Sequence, residues 1–156
     1  MNQANLPRTP CDSPVTFCFL HSFEDWRRSM EAAGSRALKG LRILVVEDNF
    51  MIASSLKRML ESWGCDVVGP APSVEEAEQL ADQCDLSGGI LDINIRGGTS
   101  APIAERLHNR GLPYIFITGY SSPHLLPDEL LKAQRLHKPI TDAVLRSVLV
   151  EKFLGR

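Results

Sequence analysis

The sequence predicts an α/β fold, a doubly wound five-stranded parallel sheet with helices on both faces, and three observations carry that prediction. From Leu41 onward, short apolar runs alternate with stretches of helical periodicity. The runs are rich in β-branched residues and are continuous rather than alternating, as strands buried on both faces are. Four of the five runs stop on polar or charged residues. That puts chemistry at one edge of the sheet, where folds of this class bind their ligands.

Each element has its own signal. "LRILVV" (41–46) is the first strand, followed by Glu47-Asp48-Asn49 and a helical stripe of Ile52, Leu56, Met59, Leu60 and Trp63 that stops at Gly64. "CDVVG" (65–69) is the second strand. "SVEE" (73–76) is a capping box that opens a helix reaching about Cys84. "GGILDI" (88–93) is the third strand, and Thr99 or Ser100 with Pro102 opens a helix running to Gly111. "PYIFIT" (113–118) is the fourth strand, then a short helix interrupted by Pro127, then "RLHKP" (135–139) as the fifth strand. Thr141 caps a last helix with Val144, Leu145, Val148, Leu149 and Phe153 turned inward. Right-handed crossovers wind such an alternation into a sheet covered on both sides.

Residues 1–40 stand outside the repeat as an N-terminal extension. The first twenty carry Pro7, Pro10 and Pro14 and read as disordered. Ser22 to Ala37 reads as a helix with Phe23, Trp26, Met30, Ala33 and Ala37 on one side, docking on the domain or engaging a partner. The competing reading starts translation at Met30. At 156 residues, 44% hydrophobic and 23% charged, the chain is long enough for one domain with a proper core. A net charge of −2 gives no footprint for nucleic acid or an anionic membrane surface. No apolar run approaches the roughly 20 residues of a spanning helix. "VTFCFL" is short and runs into Glu24 and Asp25, unlike a signal peptide. Cys11, Cys18, Cys65 and Cys84 have no CxxC spacing and read as reduced thiols of a cytoplasmic protein; a metal set of Cys11, Cys18 and His21 is set aside for want of a ligand pattern.

The strand ends are Glu47-Asp48, Asp92, Thr118-Gly119 and Lys138-Pro139. Taken singly, each has a plain explanation. Asp48 or Asn49 caps the first helix, Asp92 begins an Asx-turn, Thr118 is a strand residue and Lys138 a solvated charge. Taken together, three acids meet at one sheet edge. Unit charges about 4 Å apart repel by about 4 kcal/mol at an effective dielectric near 20. Such a set needs cations, or one acid must keep its proton. Lys138 compensates one charge, and a hard divalent cation, most simply Mg²⁺, compensates the rest. A carboxylate beside Mg²⁺ and an ammonium suits phosphoryl transfer, with Asp92 as the nucleophile that becomes an aspartyl phosphate.

At these residues the chain resembles a known family. The acidic pair Glu47-Asp48, "LDIN" with Asp92, "FITGY" with Thr118 and "HKPI" with Lys138 stand in the order of the receiver domain of bacterial two-component response regulators. The likeness runs from Leu41 to about Phe153, within a domain taken as 41–156. It implies a flavodoxin-like (βα)5 fold. "FITGYSS" followed by "LLPDEL" further resembles the Phe-Ala-Thr-Gly-Tyr subgroup of stand-alone receivers from alphaproteobacteria. The resemblance implies that Asp92 accepts a phosphoryl group from a histidine kinase or histidine phosphotransfer protein. It implies that Asp48 ligates Mg²⁺ directly, Glu47 through water, and Asn94 through its backbone carbonyl. Thr118 and Lys138 would bind phosphoryl oxygens, and Lys138-Pro139 would be cis. The family's aromatic switch, three residues before the lysine, is replaced here by Arg135; Tyr120 either takes over signalling or shapes access to the phosphate.

Two rival chemistries fail on single residues. A phosphohydrolase of the haloacid dehalogenase type wants a second aspartate where Asn94 stands. A flavin or nucleotide binder wants a glycine- and hydroxyl-rich loop where "VVEDNF" stands. A receiver-fold docking protein acting without phosphorylation stays open. With the chain ending at Arg156, the reading is a single-domain response regulator: a shuttle in a phosphorelay, a phosphate sink or an adaptor. It would catalyse its own phosphorylation and slow dephosphorylation rather than turn over a separate substrate. Its output would be protein–protein, through the face of the fourth helix, fifth strand and fifth helix.

Overall fold

Five parallel strands, β1 (Arg42–Val46), β2 (Asp66–Ala71), β3 (Gly88–Asp92), β6 (Tyr114–Thr118) and β7 (Arg135–His137), hydrogen-bond in the order β2-β1-β3-β6-β7. The computed structural model describes residues 38–119, 127, 130 and 132–155. The helix read over Ser22–Ala37, Tyr120 and most of the helix read around Pro127 lie outside the described residues. Of that last helix, Leu130 is buried in the core, and its amide donates to the Pro127 carbonyl at 2.9 Å.

The sheet order answers the parallel alternation seen in the sequence, and both faces are covered. One cluster joins Leu44, Val46, Leu91 and Phe116 to α2 (Val74–Gln83) and α3 (Ala101–Asn109). The other joins Ile43, Val45, Ile90, Ile115 and Ile117 to α1 (Phe50–Ser62) and α4 (Asp142–Leu149), whose end runs on as a π-helical turn, Val150–Leu154. Successive residues of β1 and β3 thus feed opposite cores, which is why these strands read as unbroken apolar runs. Each fully buried Leu or Ile in them contributes about 2–3 kcal/mol by removal from water. The second core reaches back to Leu38, which is fully buried.

The helix signals are largely realised. Ser73 accepts from the Glu76 amide at 3.3 Å, and Thr141 from the Val144 amide at 3.4 Å. Gly64, with φ +80°, ends α1 while the Cys65 amide donates to the Leu60 carbonyl at 3.0 Å.

Several boundaries differ from expectation. β7 stops at His137, so Lys138 and Pro139 lie beyond the strand. β2 runs two residues past Gly69, through the cis Gly69-Pro70 bond, to pair Ala71 with Val46 across a bulge. α3 spans Ala101–Asn109, and the Ser100 side chain at its N-cap makes no capping bond. A small antiparallel hairpin, β4 (Asn94–Ile95) with β5 (Gly98–Thr99), follows β3 and had no counterpart in the sequence reading. Val144, placed inward by its periodicity, is 48% exposed. Leu145, Leu149 and Phe153 suffice to fill that side of α4.

The glycine pair that opens β3 has a steric cause. A Cβ at Gly88 would collide with the Pro113 carbonyl and the Phe153 ring, and one at Gly89 would come within 2.6 Å of Leu107 Cδ1. Both collisions are with packed groups, so Gly88→Ala should lower stability by about 1–3 kcal/mol. A urea midpoint equal to that of the parent would show that the contact relaxes freely.

Candidate functional site

The switch point of the sheet lies between β1 and β3. From there the chain steps outward to β2 on one side and to β6 and β7 on the other. The carboxyl ends of those two central strands carry Glu47-Asp48 and Asp92, so the crevice where such sheets bind ligands is walled by acids. One oxygen from each of Glu47, Asp48 and Asp92 lies within 4.8 Å of the others.

Lys138 enters this crevice from the loop after β7. Its Nζ donates to Glu47 Oε2 at 2.7 Å and to Asp92 Oδ2 at 2.5 Å. Sequence reasoning assigned it one partner; the structure gives it two. The backbone holds it there, since the Lys138 amide donates to the Thr118 carbonyl at 2.9 Å, and its peptide bond to Pro139 is cis.

Asn49, not Asp48, is the N-cap of α1, its Oδ1 accepting from the amides of Met51 at 3.0 Å and Ile52 at 3.3 Å. Asp48 is thereby left exposed, with its carboxylate in the acidic set. Asp92 does serve a turn, because its Oδ1 accepts from the Asn94 amide at 3.4 Å, but its other oxygen faces Lys138. One oxygen of Asp92 thus serves the turn and the other meets the ammonium. Thr118 is buried at the end of β6, and its hydroxyl donates to the Gly119 carbonyl at 2.9 Å. Asn94 lies exposed at the start of β4. Arg135 lies on β7, in register with Phe116 and two rungs back from the Thr118–His137 pair.

Electrostatics follows from burial. Glu47 is 2% exposed, and desolvation pushes its carboxyl above the ordinary range, reinforced by the Asp92 charge and opposed by the hydrogen bond from Lys138. Burial alone would lower the Lys138 ammonium, yet its bonds to Asp92 and Glu47 outweigh that and hold it above its usual value. Three carboxylates still face one ammonium. The donor set, all hard oxygens with Asp48 open to solvent, fits a divalent cation such as Mg²⁺.

Beyond the acids, the sequence reading missed two features. The β4–β5 hairpin is signalled by Gly97 and Gly98, at φ +92° and +141°, and is tied to α2 by the Val74 amide donating to the Arg96 carbonyl at 3.0 Å. An apolar groove of about 450 Å³ runs beside Lys138 between α1 and Pro139-Ile140. Its signal was the pair Phe50-Met51, apolar residues at the head of α1 that fall outside the core stripe and are 79% and 75% exposed.

Comparison with known proteins converges on one family. The model of the response regulator receiver domain matches residues 43–149. The phyllosphere-induced regulator PhyR of Methylorubrum extorquens is 32% identical over 110 residues, 69% of this chain and 41% of PhyR, so the chain spans about two fifths of that relative. The solution structure of SdrG from Sphingomonas melonis Fr1 superposes with a TM-score of 0.63 at 33% identity, covering 73% of this chain and 95% of SdrG. The receiver domain of a Pseudomonas aeruginosa sensor histidine kinase, solved with a magnesium ion in its active-site cleft, shares the fold at TM-score 0.61 and 23% identity, over 75% of this chain and 99% of its own.

The raised Glu47 carboxyl makes a signed prediction for the metal-free protein. The folded state holds that proton more tightly than the unfolded chain, whose carboxyl titrates near 4.5. Its stabilising contribution is therefore full below about pH 4.5 and is lost as pH rises through the higher folded value. In EDTA, Glu47→Gln should remove this component of the slope. A parent-minus-variant stability difference that grows with pH across the same window would contradict the assignment.

Proposed function

The chain belongs to the response regulator receiver family, and on that premise we propose that it is a signalling phosphoacceptor, modified on Asp92 by a histidine kinase or histidine phosphotransfer protein. The observation that carries this reading is the Lys138 ammonium shared between Glu47 and Asp92 beside an open Asp48. Asp48 and Asp92, the backbone carbonyl of Asn94 and, through water, Glu47 would hold Mg²⁺. Bound there, the ion supplies charge neutralisation at the phosphoryl oxygens.

The chain's own residues supply the rest. An Asp92 carboxylate oxygen attacks phosphorus in line; the bond to the donor histidine nitrogen breaks, and the imidazole leaves. Lys138 can pass its hydrogen bond from Asp92 to the phosphoryl group while its bond to Glu47 anchors it. The Thr118 hydroxyl, spent on the Gly119 carbonyl, must turn to meet the new oxygens. Such a local charge change shifts populations at a protein-binding face. We assign the output to protein–protein contact in the cytoplasm, as a phosphorelay shuttle, sink or adaptor. Among the described residues, no helix is long and apolar enough to cross a membrane.

Two measurements check this. Acetyl phosphate with Mg²⁺ should add one phosphoryl group by intact mass to the parent and none to Asp92→Asn, which should still melt cooperatively. A labelled Asp92→Asn would move the acceptor elsewhere, and a parent that neither labels nor binds Mg²⁺ would favour a docking protein. Separately, Mg²⁺ at about ten times its dissociation constant should stabilise the parent by about 1.4 kcal/mol. Asp48→Asn should lose most of that gain, and equal gains in both would exclude Asp48 as a ligand.

A further inference from the structure

The α1 face beside Lys138 carries an open apolar groove. Met51, Ile52, Ser55, Leu56 and Met59 of α1 face Pro139 and Ile140 across the groove. Met51 lines it and is largely exposed, as is its chain neighbour Phe50. An apolar trough of this size asks for a cover.

The chain itself points to one. Leu38 is helical and fully buried in the same core cluster as Leu56, Leu60 and Trp63 of the α1 side. Gly40, at φ +80°, has the left-handed conformation that ends helices, and its amide donates to the Gly64 carbonyl at 2.8 Å. The polypeptide preceding Leu38 therefore reaches the domain at the foot of α1, on the groove's side of the sheet. α1 descends from the carboxyl edge of the sheet, so a helix ending at its foot and running antiparallel to it begins near the groove. At about 1.5 Å per residue, residues 22–37 reach about 24 Å as a helix and α1 about 20 Å, so the two lengths match.

The sequence is graded to suit. In sequence, the small Ala33 and Ala37 stand nearer Leu38, and the large Phe23 and Trp26 stand one helix length further from it. We propose that residues 22–37 form a helix that packs antiparallel along α1 and seats Phe23 and Trp26 in the groove beside Lys138 and Pro139.

The chain has two tryptophans, Trp26 and the buried Trp63, so Trp63→Phe in the full-length protein leaves Trp26 as the sole reporter. Its emission should be blue-shifted and resist acrylamide. Adding Met51→Asp with Ser55→Arg, both on the groove and neither among the acids or Lys138, should raise the quenching constant several-fold and shift emission to the red, with the circular dichroism of the domain retained. Trp26 quenched in the parent as freely as in urea would overturn the docking. Protection indifferent to the groove substitutions would place the segment elsewhere. Protection that fades on dilution would give the groove to a second copy instead. All three outcomes are independent of whether Asp92 is phosphorylated.

Discussion

The Lys138 ammonium, held between Glu47 and Asp92, is the contact on which the carboxyl edge of this sheet depends. Its partners lie 91 and 46 residues away in sequence, so it can form only when β1, β3 and the loop after β7 are all in register. An acid as buried as Glu47 would be strongly unfavourable without a compensating charge. Lys138 provides that charge but is outnumbered. The edge therefore retains negative surplus, and a surplus of hard oxygens is what selects a hard cation.

Everything around that contact keeps the acids available. Asn49 satisfies the first amides of α1 and so releases Asp48 from the task its position would otherwise give it. The two oxygens of Asp92 are divided between a turn amide and Lys138. Gly88 and Gly89 let β3 pass tightly under Pro113, Phe153 and Leu107, which brings the far end of the strand to the switch point. Pairing with β1 and β6 then carries the strand to Asp92 at its other end.

How legible this was depended on the kind of physics involved. β1, β3 and β6 could be read because strands buried on both faces leave continuous apolar runs, and their ends fell within a residue of expectation. Caps at Ser73 and Thr141 could be read because a hydroxyl before a helix has a local purpose. The choice between Asp48 and Asn49 could not, since both residue types can cap and no local pattern says which of the two directly precedes the first helical residue. The outward turn of Val144 was hidden for a similar reason. Periodicity gives the phase of a helix, but the width of its buried stripe is set by what it packs against. The double role of Lys138 needed the sheet order, which no local pattern contains.

The order Glu47 then Asp48 in the acidic pair has its own logic. The inner position is almost sealed, and the longer Glu side chain spans from there to Lys138 while its other oxygen accepts from the Asn49 amide at 3.1 Å. The outer position is open, and the shorter Asp keeps its carboxylate close to the backbone at the mouth of the crevice. On the proposed chemistry the inner acid is a pivot and the outer one a ligand. When Asp92 gains a phosphoryl group, its Oδ2 ceases to be the best acceptor for Lys138, and the ammonium needs a fixed point about which to swing. Glu47 is that point, because its burial leaves it little freedom to follow. Shortening it to Asp would keep the charge and lose the reach, so the pair Glu47-Asp48 is not interchangeable with Asp-Glu even though both carry the same charge.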